Sequence, residues 1–316
     1  MEKRRLGHSE LEVSRLCFGG NVFGWTIDEI TSFEILDAFV AAGGNFIDTA
    51  DFYSRWVPGN HGGESETILG KWLKQRRNRD QVIIATKVGN DMGTGSKGLS
   101  QKHILNAVEA SLSRLNTDYI DLYQSHIDDP NTPVEETLEA YAELIRQGKV
   151  RVIGASNFSP ARLIQSLTVS QQYGYPRYEC LQPLYNLIDR SDYEQNLESV
   201  CLAHEIGVIS YFSLASGFLT GKYRSKDDLS NSSRADFVKE YLNERGFALL
   251  DAIDQVAKRY EATPTQVSLA WILARPNITA PIASATKVEH LNEMLKALEI
   301  KLDPDSLSIL EATSAS

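Results

Sequence analysis

Short apolar runs alternate along the chain with longer stretches whose apolar residues recur every three or four positions. The runs occupy positions 16–19, 45–48, 82–87, 120–124, 152–155, 180–182, 208–212 and 278–282. Several are continuous rather than alternating, such as VIIAT and VRVIGA. Strands of a parallel sheet covered on both faces read this way. The stretches between them predict amphipathic helices with legible ends. Ser100 opens one whose stripe is Ile104, Leu105, Val108, Leu112 and Leu115. Thr31 and Glu34 read as a capping box, and Gly43 and Gly44 stop that helix. Thr132 before Pro133, with Glu135 reaching back, predicts another start, and Gly148 its end. Ser159 before Pro160, Thr263 before Pro264 with Gln266, and Asp303 before Pro304 repeat the device. At the first helical position the N–H that proline lacks has no intrahelical use.

Eight strand candidates with interleaved helices predict a (β/α)8 TIM barrel in one domain spanning 1–316. The competing arrangement is an open doubly wound sheet. Against it, no G-x-G-x-x-G follows an early strand, so the dinucleotide fingerprint of that fold is missing. The opening KRRLGHSELEVSRL reads as an N-terminal β-hairpin around Gly7 and His8, placed to plug the bottom of the barrel. Two connections are long, 52–64 and 213–247. Long structured connections in a barrel are usually binding loops or lids, here over the C-terminal mouth.

Composition narrows the partners. Among 316 residues, 32 basic and 42 acidic side chains leave a formal charge of −10. That disfavours nucleic acid or an anionic membrane as the main partner. There is no apolar run of about 18 residues and no apolar signal core in MEKRRLGHSE. Cys17, Cys180 and Cys201 are widely spaced and lack any zinc-type pairing, so the expectation is reduced thiols, no metal and a cytoplasmic protein.

In such a barrel, catalytic groups sit where strands end at the C-terminal face. Asp48 closes NFID, Lys87 closes VIIATK, His126 follows DLYQS, and Tyr53 lies on the loop leaving the strand of Asp48. Taken singly, each has an ordinary reading: a cap, a solvated strand end, a structural imidazole, a packing ring. Together their chemistry is complementary. A free phenol is a poor acid near neutrality, and an adjacent ammonium stabilises its phenolate and lowers its pKa. A carboxylate holds the ammonium charged, and an imidazole beside the phenol shares the same substrate oxygen.

FIDTADFY, the strand end ATK, DLYQSH, GASNF, LQPLYN and YFSLASGFLTGKY together resemble the aldo-keto reductases over nearly the whole chain. The pattern is more similar to bacterial reductases and potassium-channel β subunits than to the aldose-reductase branch. The resemblance implies a (β/α)8 barrel that binds a nicotinamide cofactor without a Rossmann fold. It implies reduction of aldehydes and ketones to alcohols, with small-molecule carbonyl substrates. Asp48, Tyr53, Lys87 and His126 match the catalytic tetrad, with Tyr53 as the general acid. Ser156, Asn157 and Gln182 match positions that hold the nicotinamide carboxamide, and Tyr211 the ring that stacks beneath it. Ser213, Leu214, Ser216, Gly217, Leu219 and Lys222 match the pyrophosphate loop, with Arg234 reaching over the cofactor. Ser284, Thr286, Lys287, His290 and Glu293 fall where the adenosine end binds, which implies NADP(H) in preference to NAD(H). Here the chain departs from the usual pattern: many relatives carry Gly for Ser284, Gln or Arg for His290, and Asn for Met294. Phe23, Trp25 and Trp56 are expected to wall the substrate pocket, and aromatic walls favour apolar or planar carbonyls. Two other classes remain: a cofactor-binding regulatory subunit with little turnover, and a barrel lyase or isomerase acting on a phosphorylated substrate. The channel β subunits carry Asn at the place of His126.

Overall fold

The computed structural model describes residues 1–93, 95, 97–230 and 234–315. Part of the polar stretch DDLSNSSRAD, residues 231–233, lies outside the described residues. The first two strands, β1 (Lys3–Arg5) and β2 (Glu12–Ser14), pair antiparallel as the expected hairpin. The next eight are β3 (Cys17–Gly19), β4 (Phe46–Asp48), β5 (Ile83–Val88), β6 (Ile120–Ser125), β7 (Val150–Ser156), β8 (Tyr178–Gln182), β9 (Gly207–Ser210) and β10 (Ile278–Ala283). They close into a parallel barrel in chain order, with β10 pairing back onto β3. All eight apolar runs became strands, shifted by a residue or two. The run expected to reach position 212 stops at Ser210, because the chain turns out of the sheet there and Phe212 takes a left-handed φ of 54°.

The hairpin seals one end. Leu6, Leu11 and Val13 join Cys17, Phe46, Ile83, Leu122, Cys180, Ile209 and Ala280 in one buried cluster inside the barrel. Gly7, at φ +56°, lies so close to Glu179 that a Cβ would sit 2.4 Å from its carbonyl oxygen. Arg4 donates to the carbonyl of Ile278, which ties the plug to the start of β10. The larger apolar layer lies between strands and helices, with Trp72 and Trp271 fully buried.

The helix Gln101–Leu115 begins after Ser100, whose side chain accepts the His103 N–H. Ser159, Thr263 and Asp303 cap their helices as expected, each before a proline at the first helical turn. Two expected starts are corrected. The first helix is Glu29–Ala41, and Asp28 caps it by accepting the Thr31 N–H, so Thr31 lies inside it. The fourth helix of this size, Val134–Arg146, has Pro133 rather than Thr132 at its N-cap. The Thr132 hydroxyl is already committed to Asp129, 2.6 Å away.

At the opposite end of the barrel the two long connections lie over the mouth. The second is built from short helical pieces, Ala215–Thr220, Lys226–Leu229, Ala235–Val238 and Lys239–Tyr241. The long helix Glu244–Arg259 follows, capped by Asn243 and so beginning a few residues before position 247. Tyr241 donates to Asp189 at 2.7 Å, which moors this connection to the loop after β8. Among the described residues no helix is long and apolar enough to cross a membrane.

Candidate active site

Three strand ends deliver the ionisable groups to one place. Asp48 ends β4, Lys87 is the next-to-last residue of β5, and His126 follows β6. The Lys87 ammonium is fully buried and spends its three protons on the Asp48 carboxylate (2.7 Å), the Thr49 carbonyl (2.8 Å) and the Tyr53 hydroxyl (2.7 Å). The Tyr53 hydroxyl donates in turn to Asp48 Oδ2 at 3.0 Å. Asp48 Oδ1 accepts from Gln182 at 2.9 Å and from Gln124 at 3.3 Å. A carboxylate so surrounded is a buried charge with its partners in place. The resemblance singles out Gln182 only for the nicotinamide carboxamide and Gln124 not at all; that both hold Asp48 is seen only in the structure.

These groups form the floor of a cavity of about 1150 Å³. Tyr53, His126 and Asp48 line it, whereas Lys87 lies beneath them. The rings of Tyr53 and His126 meet edge to face, 6.0 Å between centroids. Burial first, and then the Lys87 charge, hold the His126 imidazole well below its usual range, so the ring is neutral at pH 7. The Tyr53 phenol lies well above its usual range, by burial first and then by the Asp48 carboxylate. This corrects the expectation that Lys87 lowers that pKa. Burial and the Asp48 carboxylate dominate. The phenol therefore keeps its proton across the physiological range.

Trp25 and Trp56 line one wall, edge to face at 5.4 Å, with Phe52 6.0 Å from Trp56. Arg234 lies over Trp25, 5.3 Å from the ring centre. Phe212 and Phe237 meet edge to face at 6.1 Å and also line the cavity. Phe23 is a correction: it is fully buried, stacks on Phe18 at 5.7 Å, and takes no part in the wall. One residue after a helical turn, its side chain points into the layer between strand and helix, while Trp25 faces the mouth. Phe52, Phe237 and Asn90 line the cavity as well, beyond the residues the sequence points to. Asn90 lies three residues past Lys87 on the same strand exit and Phe52 stands beside Tyr53 in FIDTADFY, whereas Phe237 has no such neighbour.

Ser156, Asn157 and Tyr211 line the cavity together and are bonded to one another. Asn157 donates to the His126 carbonyl (3.0 Å) and to Ser156 Oγ (3.2 Å), and accepts from Tyr211 (2.9 Å). Ser213, Leu214, Ser216, Gly217 and Lys222 line the next stretch of wall. Leu219 does not: its side chain is fully buried and its N–H bonds to the Leu214 carbonyl. Ser284, Thr286, His290 and Glu293 line the far end, but Lys287 is exposed and outside it. As the N-cap of the helix Val288–Lys296, Lys287 is the point where the chain turns, and its side chain faces solvent.

Comparison with known proteins adds the assignment this geometry suggests. The Aldo/keto reductase family profile matches residues 15–315. The chain belongs to the aldo/keto reductase family. It is 36% identical to the Bacillus subtilis protein named uncharacterized oxidoreductase YrpG, over 98% of this chain and 95% of that one. It is 32% identical to a putative voltage-gated potassium channel subunit beta of Schizosaccharomyces pombe, over 98% and 92%. It is 31% identical to the norsolorinic acid reductase of Aspergillus flavus, over 94% and 76%. Oxidoreductase chemistry with a nicotinamide cofactor is the family's activity.

The cavity wall of this aldo/keto reductase suits a dinucleotide. Ala215, Ser216 and Gly217 have consecutive positive φ values of 46°, 56° and 99°. Within this turn the Ala215 and Gly217 N–H groups donate to the Phe212 and Leu214 carbonyls, at 2.7 and 2.8 Å, so the turn is closed by its own bonds. A Cβ on Gly217 would lie 3.4 Å from Lys222 Nζ, so the turn brings a cation to the cavity wall. At the far end, Thr286 Oγ1 lies 3.2 Å from His290 Nδ1, and Glu293 accepts from Thr263 at 2.6 Å. Met294 is almost wholly buried at that end, with 2% exposure, where an amide side chain would offer hydrogen bonds.

Behind the site, Asp51 is buried with Oδ1 unpartnered, and burial followed by the Glu66 charge pushes its pKa up to about 8. The unfolded chain releases that proton near the ordinary carboxylate pKa, around 3.9, whereas the folded protein keeps it to about 8. Over that window the group removes about 1.4 kcal/mol of stability per pH unit as pH rises. Asp51→Asn should therefore melt above the wild type, by a margin that widens from pH 5 to 8. Thermal melts across that range check this. A constant difference would mean that Asp51 does not hold its proton.

Proposed function

We propose that this aldo/keto reductase is an NADPH-dependent carbonyl reductase that converts aldehydes and ketones to alcohols. The observation that supports it most is the Asp48–Lys87–Tyr53 chain, buried beneath a cavity that His126 shares. NADPH would supply a hydride. The protein's own residues bind the carbonyl, polarise it and deliver a proton. A carbonyl oxygen between Tyr53 and His126 meets two neutral donors. As negative charge grows on that oxygen, Tyr53 passes its proton on, and Lys87 at 2.7 Å stabilises the phenolate left behind. Asp48, held by Gln182 and Gln124, keeps the ammonium in place. The hydroxyl bond now made to Asp48 has only to rotate toward the substrate.

Lys222, beside the 215–217 turn, would take the pyrophosphate, with Arg234 over it. Ser156, Asn157 and Gln182 would face the nicotinamide amide, with Tyr211 beneath the ring. Thr286, His290 and Ser284 would meet the 2′-phosphate, and Glu293 the adenine. Lys287 and Leu219 have no side-chain part in this assignment. The wall of Trp25, Trp56 and Phe52 favours aromatic or otherwise apolar carbonyls. The three cysteines are unpaired and buried, which suits a cytoplasmic protein.

Loss of absorbance at about 340 nm with 4-nitrobenzaldehyde and NADPH, beside NADH, tests the reading. NADPH oxidation faster than NADH oxidation is expected. Tight NADPH binding without turnover would favour a regulatory subunit instead. No quenching of protein fluorescence by NADPH would point to a barrel enzyme of another kind.

A further inference from the structure

His126 is held from three sides. Its N–H donates to the Val88 carbonyl at 2.8 Å, and its own carbonyl accepts from Asn157 at 3.0 Å. Its ring meets Asn90, whose side-chain nitrogen lies 2.9 Å from Nδ1. An amide nitrogen carries protons and no available lone pair, so Nδ1 must be the acceptor. A neutral imidazole that accepts at Nδ1 carries its proton at Nε2. Among the described residues, Nε2 has no hydrogen-bond partner, and both His126 and Asn90 line the cavity.

We propose that Asn90 is a positioning residue that selects the Nε2–H tautomer of His126, so that the ring presents a proton rather than a lone pair to the substrate oxygen. Asn90 suits this role by its place. It leaves β5 three residues after Lys87, and the backbone bond from Gly98 to Gly89, 2.9 Å, closes the loop that carries it. Gly89, at φ +123°, has space for no large side chain: a Cβ there would lie 3.1 Å from Leu99. The strand that buries Lys87 thus also orients the imidazole. The opposite tautomer would set an Nε2 lone pair against the carbonyl oxygen as negative charge develops on it, and the donor would be lost. The catalytic consequence rests on the carbonyl-reductase reading; the tautomer does not.

The test uses the full chain labelled with ¹⁵N. Long-range proton–nitrogen spectra report the tautomer of each of the six histidines, and the signals missing in His126→Asn identify this ring. The wild type should show protonated Nε2 and bare Nδ1. In Asn90→Asp the carboxylate can only accept, so Nδ1 should gain a proton. Asn90→Ala should leave a mixture. Both should lower kcat for aldehyde reduction about tenfold or more, while the NADPH affinity read by fluorescence stays within about twofold of wild type. Circular dichroism and melting confirm that each variant is folded, and the alanine variant serves if the aspartate does not fold. A proton on Nδ1 in the wild type overturns the proposal. So does a His126 signal that neither substitution alters. Absence of any carbonyl reduction would count against the functional reading, while the spectra would still decide the tautomer.

Discussion

Tyr53→Phe should abolish nearly all carbonyl reduction and leave NADPH affinity within about twofold of wild type. The ring would stay, because its contacts are those of an aromatic ring that phenylalanine keeps: edge to face with His126, beside Trp56, and 4.5 Å from the Lys87 ammonium. What disappears is the single group that can give the substrate oxygen its proton. General acid catalysis is commonly worth about 10²- to 10⁴-fold, so the loss should reach at least that range. His126 is neutral and remains a hydrogen-bond donor, but as an acid it cannot replace a phenol whose base is stabilised by an ammonium. Steady-state kinetics and a fluorescence titration check both halves. A variant retaining a tenth of wild-type kcat would remove Tyr53 from the role of acid, since that corresponds to only about 1.4 kcal/mol.

Lys87→Met should be the more damaging substitution for the fold. Lys87 and Asp48 are 0% and 1% exposed, and their bond is 2.7 Å. Methionine fills the space of the stem but leaves the carboxylate buried without its cation. Breaking such a pair from one side costs about 3–5 kcal/mol, a fall in Tm on the order of 5–10 °C for a chain of this size. Activity should fall with it, because the ammonium that stabilises the phenolate is gone. Asp48→Asn combined with Lys87→Met removes both charges and leaves an amide that can still accept from Gln182. The double variant should recover most of the stability and none of the activity. Paired melts and assays separate the two effects. A single variant that melts like the wild type would show that Asp48 is not held there as an anion.

Much of this was legible along the chain, because the governing effects are local. Continuous apolar runs such as VIIAT belong to strands covered on both faces, and all eight emerged as barrel strands. Ser100, Ser159, Thr263 and Asp303 cap helices because a short polar side chain reaches an N–H three residues away. Where two capping groups competed within reach, as with Asp28 and Thr31, local chemistry left the choice open and the structure made it.

The strand-end positions of Asp48, Lys87 and His126 followed from the sequence, since a parallel barrel carries every strand end to the same face. What they do to one another did not. Whether Lys87 or burial dominates the Tyr53 phenol depends on how much water reaches the floor, and that is a property of the closed barrel. Of two aromatics two residues apart, Phe23 went to the core and Trp25 to the mouth. Leu219 and Lys287 left the cavity for the same kind of reason. In loops there is no period to say which way a side chain faces, so packing against distant elements decides it. The Asn90–His126 contact joins positions 36 residues apart in the chain. Sequence by itself therefore determined which chemical groups arrive at the mouth. Only the tertiary structure decided which of them face the cavity, which lie beneath it, and where each proton resides, because those depend on distances and solvent exposure set by the whole barrel.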